Sequence, residues 1–127
     1  MLAALQQFVR DHQLSEKVLQ AADLSLEEHL TNVMNYAFAD SRVHEIQVRL
    51  ELAGGKFQIE VEDDGKPFNP LEHPKPDLSV PLEQRPLGGL GIHLIRSFMD
   101  ELDYRREGGR NILQMRKRLA PPPGSVN

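Results

Sequence analysis

The sequence predicts an α+β two-layer sandwich, in which a mixed, mostly antiparallel sheet carries helices on one face. Three patterns support this prediction. A long segment with helical periodicity opens the chain, two pairs of alternating strands follow, and each pair is joined by a Gly-Gly turn. A further helical segment separates the two pairs of strands. Strands that alternate apolar and polar residues are typical of a sheet with one buried face.

The composition indicates one soluble domain and excludes several classes of function. The 127 residues are 39% hydrophobic and 27% charged, and the net charge of −4 argues against nucleic acid or an anionic membrane as a partner. The sequence has no cysteine, and its five histidines are too far apart for a zinc site. It also contains no signal peptide and no apolar run long enough to span a membrane. We therefore expect a cytoplasmic protein.

Two helices are predicted at the start of the chain. Residues 2 to 12 have helical spacing of apolar residues, and Ser15 is a suitable N-cap for a second, longer helix. The apolar stripe of this second helix comprises Leu19, Ala22, Leu26, Leu30, Val33 and Ala37. Its opposite face carries polar residues, namely Glu28, Asn32 and Asn35. Such a face is most simply explained as solvated.

The first strand pair places a carboxylate on the buried side of the sheet. Alternation runs through residues 46 to 52 and resumes, after Gly54-Gly55, at Phe57, Ile59 and Val61. Asp63 has the same parity, so its side chain is expected to point toward the core. A carboxylate in that position requires a partner.

A proline-rich loop and a glycine-rich helix start come next. Residues 65 to 91 show no period and end in Gly88-Gly89-Leu90-Gly91, after which apolar residues predict a helix packed on the sheet. Free backbone N–H groups at such a start attract anions, above all phosphate. A second hairpin is predicted around Gly108-Gly109, and residues 120 to 127 are expected to form a disordered tail after a domain of residues 1 to 119.

Each polar motif is commonplace alone, but their order resembles one family. Glu28-His-Leu-Thr-Asn32 resembles the N box of the GHKL ATP-binding superfamily, whose fold is the Bergerat fold. Residues 63 to 70, DDGKPFNP, resemble its first glycine box, and residues 85 to 100 resemble the second. Tyr104 and the segment from Gly109 to Leu113 resemble the last motif. Within the superfamily, the chain is most similar to the anti-sigma factor serine/threonine kinases.

The resemblance implies a site for ATP or ADP with Mg²⁺. Asn32 is expected to hold the metal through its side-chain oxygen, and Asp63 to accept a hydrogen bond from the adenine amino group. Gly65 is expected to let the backbone pass close beneath the base. Gly89 and Gly91 are expected to present backbone N–H groups to the phosphates.

Two further roles concern the reaction and the phosphates. Glu28 is expected to be the general base that takes a proton from a serine hydroxyl or a water molecule. His93 and Arg85 are near enough in sequence to contact phosphates, although solvated or structural roles are equally open to both.

The chain departs from the family pattern at three places. Tyr36 stands where the kinases often have histidine, and Asn111 where they often have threonine. Family members usually have a strand ahead of the first helix, whereas this sequence starts at that helix. The strand is absent, or the start was assigned late, or a domain was cut. Because that strand often contributes to dimerisation, a homodimer is left open.

The resemblance favours a kinase that phosphorylates an anti-anti-sigma (STAS-type) protein and binds a sigma factor, a form of transcription regulation by partner switching. One alternative is a switch that binds ATP or ADP and changes partners without transferring phosphate. Another is the catalytic fragment of a sensor histidine kinase.

Overall fold

The computed structural model of the protein describes residues 2–38, 43–72 and 89–119. Helices α1 (Leu2–Asp11) and α2 (Glu16–Asn32) are followed by strands β1 (Ile46–Ala53) and β2 (Lys56–Asp63). Helix α3 (Gly89–Phe98) then leads to strands β3 (Glu101–Glu107) and β4 (Arg110–Arg118). A short 3₁₀ helix, Pro70–Glu72, lies between β2 and α3. This order confirms the predicted α+β fold.

The long helix begins as predicted and ends in an unusual way. Ser15 is the N-cap of α2, and its Oγ accepts a hydrogen bond from the Val18 N–H at 3.2 Å. After Asn32 the chain continues as a π-helix, Val33–Ala37. Because π-helices are rare and occur frequently at functional sites, the change of helix type directly after Asn32 singles out this end of α2.

The four strands form one sheet in the order β1-β2-β4-β3, and all of their described pairings are antiparallel. The two hairpin turns have positive φ at both glycines, 59° and 74° in the first turn and 58° and 76° in the second. Two consecutive residues with positive φ are the signature of the type I′ turn, whose twist matches that of paired strands. The Gly-Gly dipeptides therefore fix the register of both hairpins.

The core lies between the three helices and one face of the sheet. Its buried members include Leu5 of α1, Leu26 of α2 and Ile95 of α3, packed with a row on the two central strands: Phe57, Ile59, Val61, Leu113 and Met115. The other sheet face is polar and is crossed by ion pairs such as Arg49–Glu60, whose Nη1 and Oε2 atoms are 2.7 Å apart. The helices thus occupy one face, as predicted.

The buried face of α2 differs from the predicted stripe. Leu19 and Leu30 are only partly buried, whereas Ser25, His29 and Asn32 are buried. The simpler interpretation of the polar face as solvated does not apply to Asn32, because α2 packs against both α1 and α3 and so buries more than one stripe. Leu94, in the helix predicted to pack on the sheet, is 38% exposed.

Several predictions lie outside the described residues. The segment 73–88 contains most of the predicted proline-rich loop together with Arg85 and Gly88, and the predicted tail, 120–127, is also outside. Helix α3 begins at Gly89, so the second glycine motif lies within the first turn of the helix. The domain limits remain a prediction.

Candidate functional site

The carboxylate of Asp63 lies at the end of a central strand and is almost completely buried. Its relative exposure is 1%, which confirms the inward direction inferred from strand parity. Oδ1 accepts hydrogen bonds from the Gly65 N–H and from the Asn111 Nδ2, each at 2.9 Å. In the described part of the chain no hydrogen bond reaches Oδ2. That oxygen is therefore available to accept a hydrogen bond from a ligand.

Asn111 is the side chain that fixes Asp63. The two residues face each other in the β2–β4 register, and the Asn111 Nδ2 also donates to the Lys66 carbonyl at 2.8 Å. Its Oδ1 accepts from the Phe68 N–H at 3.1 Å and from the Tyr104 hydroxyl at 2.6 Å. Asn111 thus ties β2, the following loop and β3 together around the carboxylate.

Two residues of β3 complete this network. Burial raises the pKa of the Tyr104 phenol, so the hydroxyl keeps its proton and donates it to Asn111. The Arg106 Nη1 donates to the Gly65 carbonyl at 2.7 Å and to the Asn111 Oδ1 at 3.1 Å. Arg106 was not predicted as a site residue. The Gly108-Gly109 turn could have identified it, because the register of a type I′ hairpin pairs Arg106 with Asn111.

Gly65 brings the end of β2 against the π-helix. A Cβ atom at residue 65 would lie 2.7 Å from both the Cβ and the carbonyl oxygen of Ala37. The Lys66 N–H donates to the same carbonyl at 3.1 Å. Only glycine permits this approach to Ala37, and the passage of the backbone beneath the adenine base stays a prediction.

An aromatic contact joins the same two segments. The rings of Tyr36 and Phe68 are stacked, with centroids 5.2 Å apart and planes inclined by 20°. Tyr36 is the residue that departs from the family's histidine, and its ring packs on the loop that follows Asp63. The π-helix and this loop are therefore held together by a main-chain hydrogen bond, a glycine contact and a ring stack.

Glu28 and Asn32 lie one turn apart near the end of α2. Asn32 is 2% exposed, and Glu28 is half-buried. Between them His29 is buried, and its Nδ1 has no hydrogen-bond partner in the described part of the chain. Burial lowers the pKa of His29 to about 4, so the imidazole is neutral at pH 7. No feature of the sequence distinguished His29 from a surface histidine.

Gly89 and Gly91 lie in the first turn of α3, and α3 packs against α2. Backbone N–H groups in a first helical turn lack intrahelical acceptors, as an anion site requires. His93 is exposed on the same helix. The structure therefore brings the strand end with Asp63 and Gly65 to the π-helix, and places the glycine motif on the helix beside α2. The ligand roles of all seven predicted site residues remain predictions.

The side-chain oxygen of Asn32 suits a magnesium ion that binds together with a nucleotide. No group of three histidine or acidic side chains is arranged to hold a metal among residues 2–38, 43–72 and 89–119. Magnesium is commonly bound by one or two protein oxygens together with phosphate oxygens and water. The single amide oxygen of Asn32 fits that pattern. Of the described helices, none combines the length and the apolar character needed to cross a membrane.

The chain is similar in sequence to known proteins. The profile of the histidine kinase-like ATPase domain matches residues 1–117. The serine/threonine-protein kinase BtrW of Bordetella bronchiseptica is 30% identical over 98 residues, which are 77% of this chain and 69% of that protein. The serine-protein kinase RsbW of Bacillus thuringiensis is 31% identical over 94 residues, 71% of this chain. The match spans 58% of RsbW, less than two thirds of its length.

Solved structures share the fold at lower identity. The blue-light activated histidine kinase EL346 of Erythrobacter litoralis superposes with a TM-score of 0.61 at 22% identity, over 84% of this chain and 32% of that one. The histidine kinase AdeS of Acinetobacter baumannii gives a TM-score of 0.54 at 17% identity, over 81% of this chain and 48% of that one.

Proposed function

Because this chain belongs to the histidine kinase-like ATPase domain family, we propose that it binds Mg-ATP and transfers the γ-phosphate to a serine of an anti-anti-sigma (STAS-type) protein. The observation that carries the proposal is the buried Asp63, whose Oδ1 is held by Gly65 and Asn111 while Oδ2 lacks a partner in the described residues. A buried carboxylate oxygen of this kind suits the amino group of adenine.

The remaining residues follow the direction of the nucleotide. With the adenine ring at Asp63, the phosphates extend toward the start of α3. There the backbone N–H groups near Gly89 and Gly91 bind them. Asn32 contributes an oxygen ligand to Mg²⁺ from the neighbouring helix. His93, exposed on α3, is a further candidate contact for a phosphate. When bound, the metal neutralises negative charge on the phosphates.

Glu28 acts as the general base in the proposed transfer. Its carboxylate takes the proton of the serine hydroxyl as the serine oxygen bonds to the γ-phosphorus, and the bond from that phosphorus to the bridging oxygen breaks, releasing ADP. Glu28 is only half-buried, as a base that must reach a serine of another protein requires. Phosphorylation of the partner then frees the chain to bind a sigma factor. This partner exchange is proposed to occur in the cytoplasm.

The names of BtrW and RsbW, both protein kinases, support transfer to a protein hydroxyl over autophosphorylation on histidine. The test is incubation with γ-labelled ATP and a candidate anti-anti-sigma protein, followed by location of the label. We expect label on a serine of that partner. Glu28→Gln should abolish labelling while nucleotide affinity stays within about twofold.

Glu51→Gln is the matched control, since Glu51 is an exposed carboxylate on β1, outside the proposed site. It should label the partner at the wild-type rate. Tight nucleotide binding without any label would instead identify a switch that binds nucleotide without transferring phosphate. Label retained on a histidine of a supplied phospho-acceptor domain would indicate the fragment of a sensor kinase.

A further inference from the structure

A groove on the surface of α2 has no role in the nucleotide site. It lies where the start of α1 meets the second half of α2 and the π-helix, and its volume is about 470 Å³. Its apolar lining consists of Leu2, Leu26, Leu30 and Met34. Leu2 is 44% exposed and Met34 is 63% exposed, although both are large apolar side chains. Two of the exposed large hydrophobic residues thus border one groove.

The lining residues form two parallel rows along the helix. Leu26, Leu30 and Met34 follow one another at intervals of four residues, which places them on one side. Asp23, Glu27 and Thr31 have the same interval and form the adjacent row. At about 1.5 Å per residue, each row extends about 12 Å. Leu26 is 1% exposed, so the accessible apolar track consists of Leu30 and Met34 beside Leu2 of α1, and the acidic row flanks it.

The charge of that flank specifies the charge of the occupant. Neither Asp23 nor Glu27 has an ion-pair partner within the described residues, and no lysine, arginine or histidine lines the groove. The Thr31 hydroxyl proton is already donated to the Glu27 carbonyl, 2.9 Å away. Two unpaired carboxylates beside an apolar track are complementary to lysine or arginine beside apolar anchors.

The groove walls specify the backbone of the occupant. Both walls are helical, and a helix already uses its own main-chain N–H and C=O groups, so a strand would find no main-chain partners there. A helix satisfies its own backbone and presents anchors at intervals of three or four residues, which match the apolar track.

A second copy of this chain fits less well. In a two-fold dimer each groove would meet its own equivalent, and acidic flanks would lie against each other on a chain whose net charge is already −4. The helices α1, α2 and α3 also lack a basic row, since each contains a single lysine or arginine, namely Arg10, Lys17 and Arg96.

We propose that this groove docks an amphipathic helix of a partner protein, with apolar anchors on Leu2, Leu30 and Met34 and lysine or arginine facing Asp23 and Glu27. The site goes beyond the proposed phosphoryl transfer because neither the nucleotide nor Glu28 takes part in it. Its test therefore needs no ATP and is independent of whether the protein is a kinase.

The probe is a fluorescein-labelled 15-residue helical peptide with leucine anchors and a lysine flank, compared by anisotropy with a peptide whose lysines are replaced by glutamate. We expect the wild type to prefer the lysine peptide by about tenfold or more. Glu27→Lys should lower affinity for the lysine peptide by a similar factor, and Asp23→Lys with Glu27→Lys should reverse the preference. Glu51→Lys is the matched control, because Glu51 is exposed on β1, away from the groove.

Met34→Ser tests the apolar track, and Leu94→Ser, an exposed leucine on α3, is its control. The first should weaken the lysine peptide about tenfold and the second should have no effect. Circular dichroism confirms that the variants fold. Equal binding of both peptides to the wild type, or equal losses in the groove and control variants, would overturn the proposal. So would a dimer in analytical ultracentrifugation that Met34→Ser dissociates, because it would identify a second copy as the occupant.

Discussion

The Asn111 amide and the Asp63 carboxylate, on paired strands, meet at 2.9 Å at the buried end of the sheet. This contact uses Oδ1 of Asp63, which the Gly65 N–H also shares. Because Asn111 is in turn held by Tyr104 and Arg106, the orientation of the carboxylate is set before any ligand arrives. Preorganisation of this kind removes part of the ordering cost of binding.

The first prediction concerns the replacement of Asp63 by asparagine. Asp63→Asn retains an oxygen for Gly65 and Asn111 but replaces the other oxygen with an NH₂ group, which cannot accept a hydrogen bond from adenine. Calorimetry should show ATP and ADP affinity falling about tenfold or more, while the free energy of unfolding of the apo protein falls by less than about 1 kcal/mol. A large loss of stability with unchanged affinity would mark Asp63 as purely structural.

The second prediction concerns the metal. Asn32→Ala should remove most of the additional thermal shift that Mg²⁺ gives in the presence of ATP, since the amide oxygen is the proposed ligand. Melting curves with ATP, in magnesium and in EDTA, measure that difference. Asn35→Ala removes an exposed amide three residues away and should keep the wild-type shift. An intact shift in Asn32→Ala would contradict the assignment.

The third prediction concerns the contact between Gly65 and Ala37. Gly65→Ala would place a Cβ 2.7 Å from the Ala37 Cβ and carbonyl oxygen, so the π-helix or the loop must move. Urea titration should show a loss of about 1–3 kcal/mol in the free energy of unfolding. Ala37→Gly in the same chain removes the clash with the Ala37 Cβ and leaves the clashes with its carbonyl carbon and oxygen. Full recovery in that double variant would contradict this account.

The fourth prediction concerns pH. His29 has a pKa of about 4 in the folded protein and about 6.5 when unfolded, so below pH 6.5 the unfolded chain binds a proton that the folded one refuses. Stability from this residue is intact above pH 6.5 and falls by about 3 kcal/mol as the pH drops to 4. Urea titrations across this range should show a shallower pH dependence for His29→Leu than for the wild type.

Much of the fold could be predicted from local sequence patterns. The Ser15 cap, the two Gly-Gly hairpins and the inward direction of Asp63 follow from short-range rules, and the structure confirms all three. The prediction of which α2 residues are buried was wrong in part. Helical periodicity identifies one buried face, whereas other elements cover this helix from more than one side.

The sequence by itself determined the order of elements, the turn types and the motifs that place the chain in its family, since these depend on residues near one another in the chain. The tertiary structure decided which side chains meet across long separations. It brought Arg106 to Gly65, Tyr36 to Phe68, and Ala37 so close to Gly65 that no Cβ fits there. It also buried His29 and Asn32, because burial depends on every element packed around a helix, whereas periodicity depends on the helix alone.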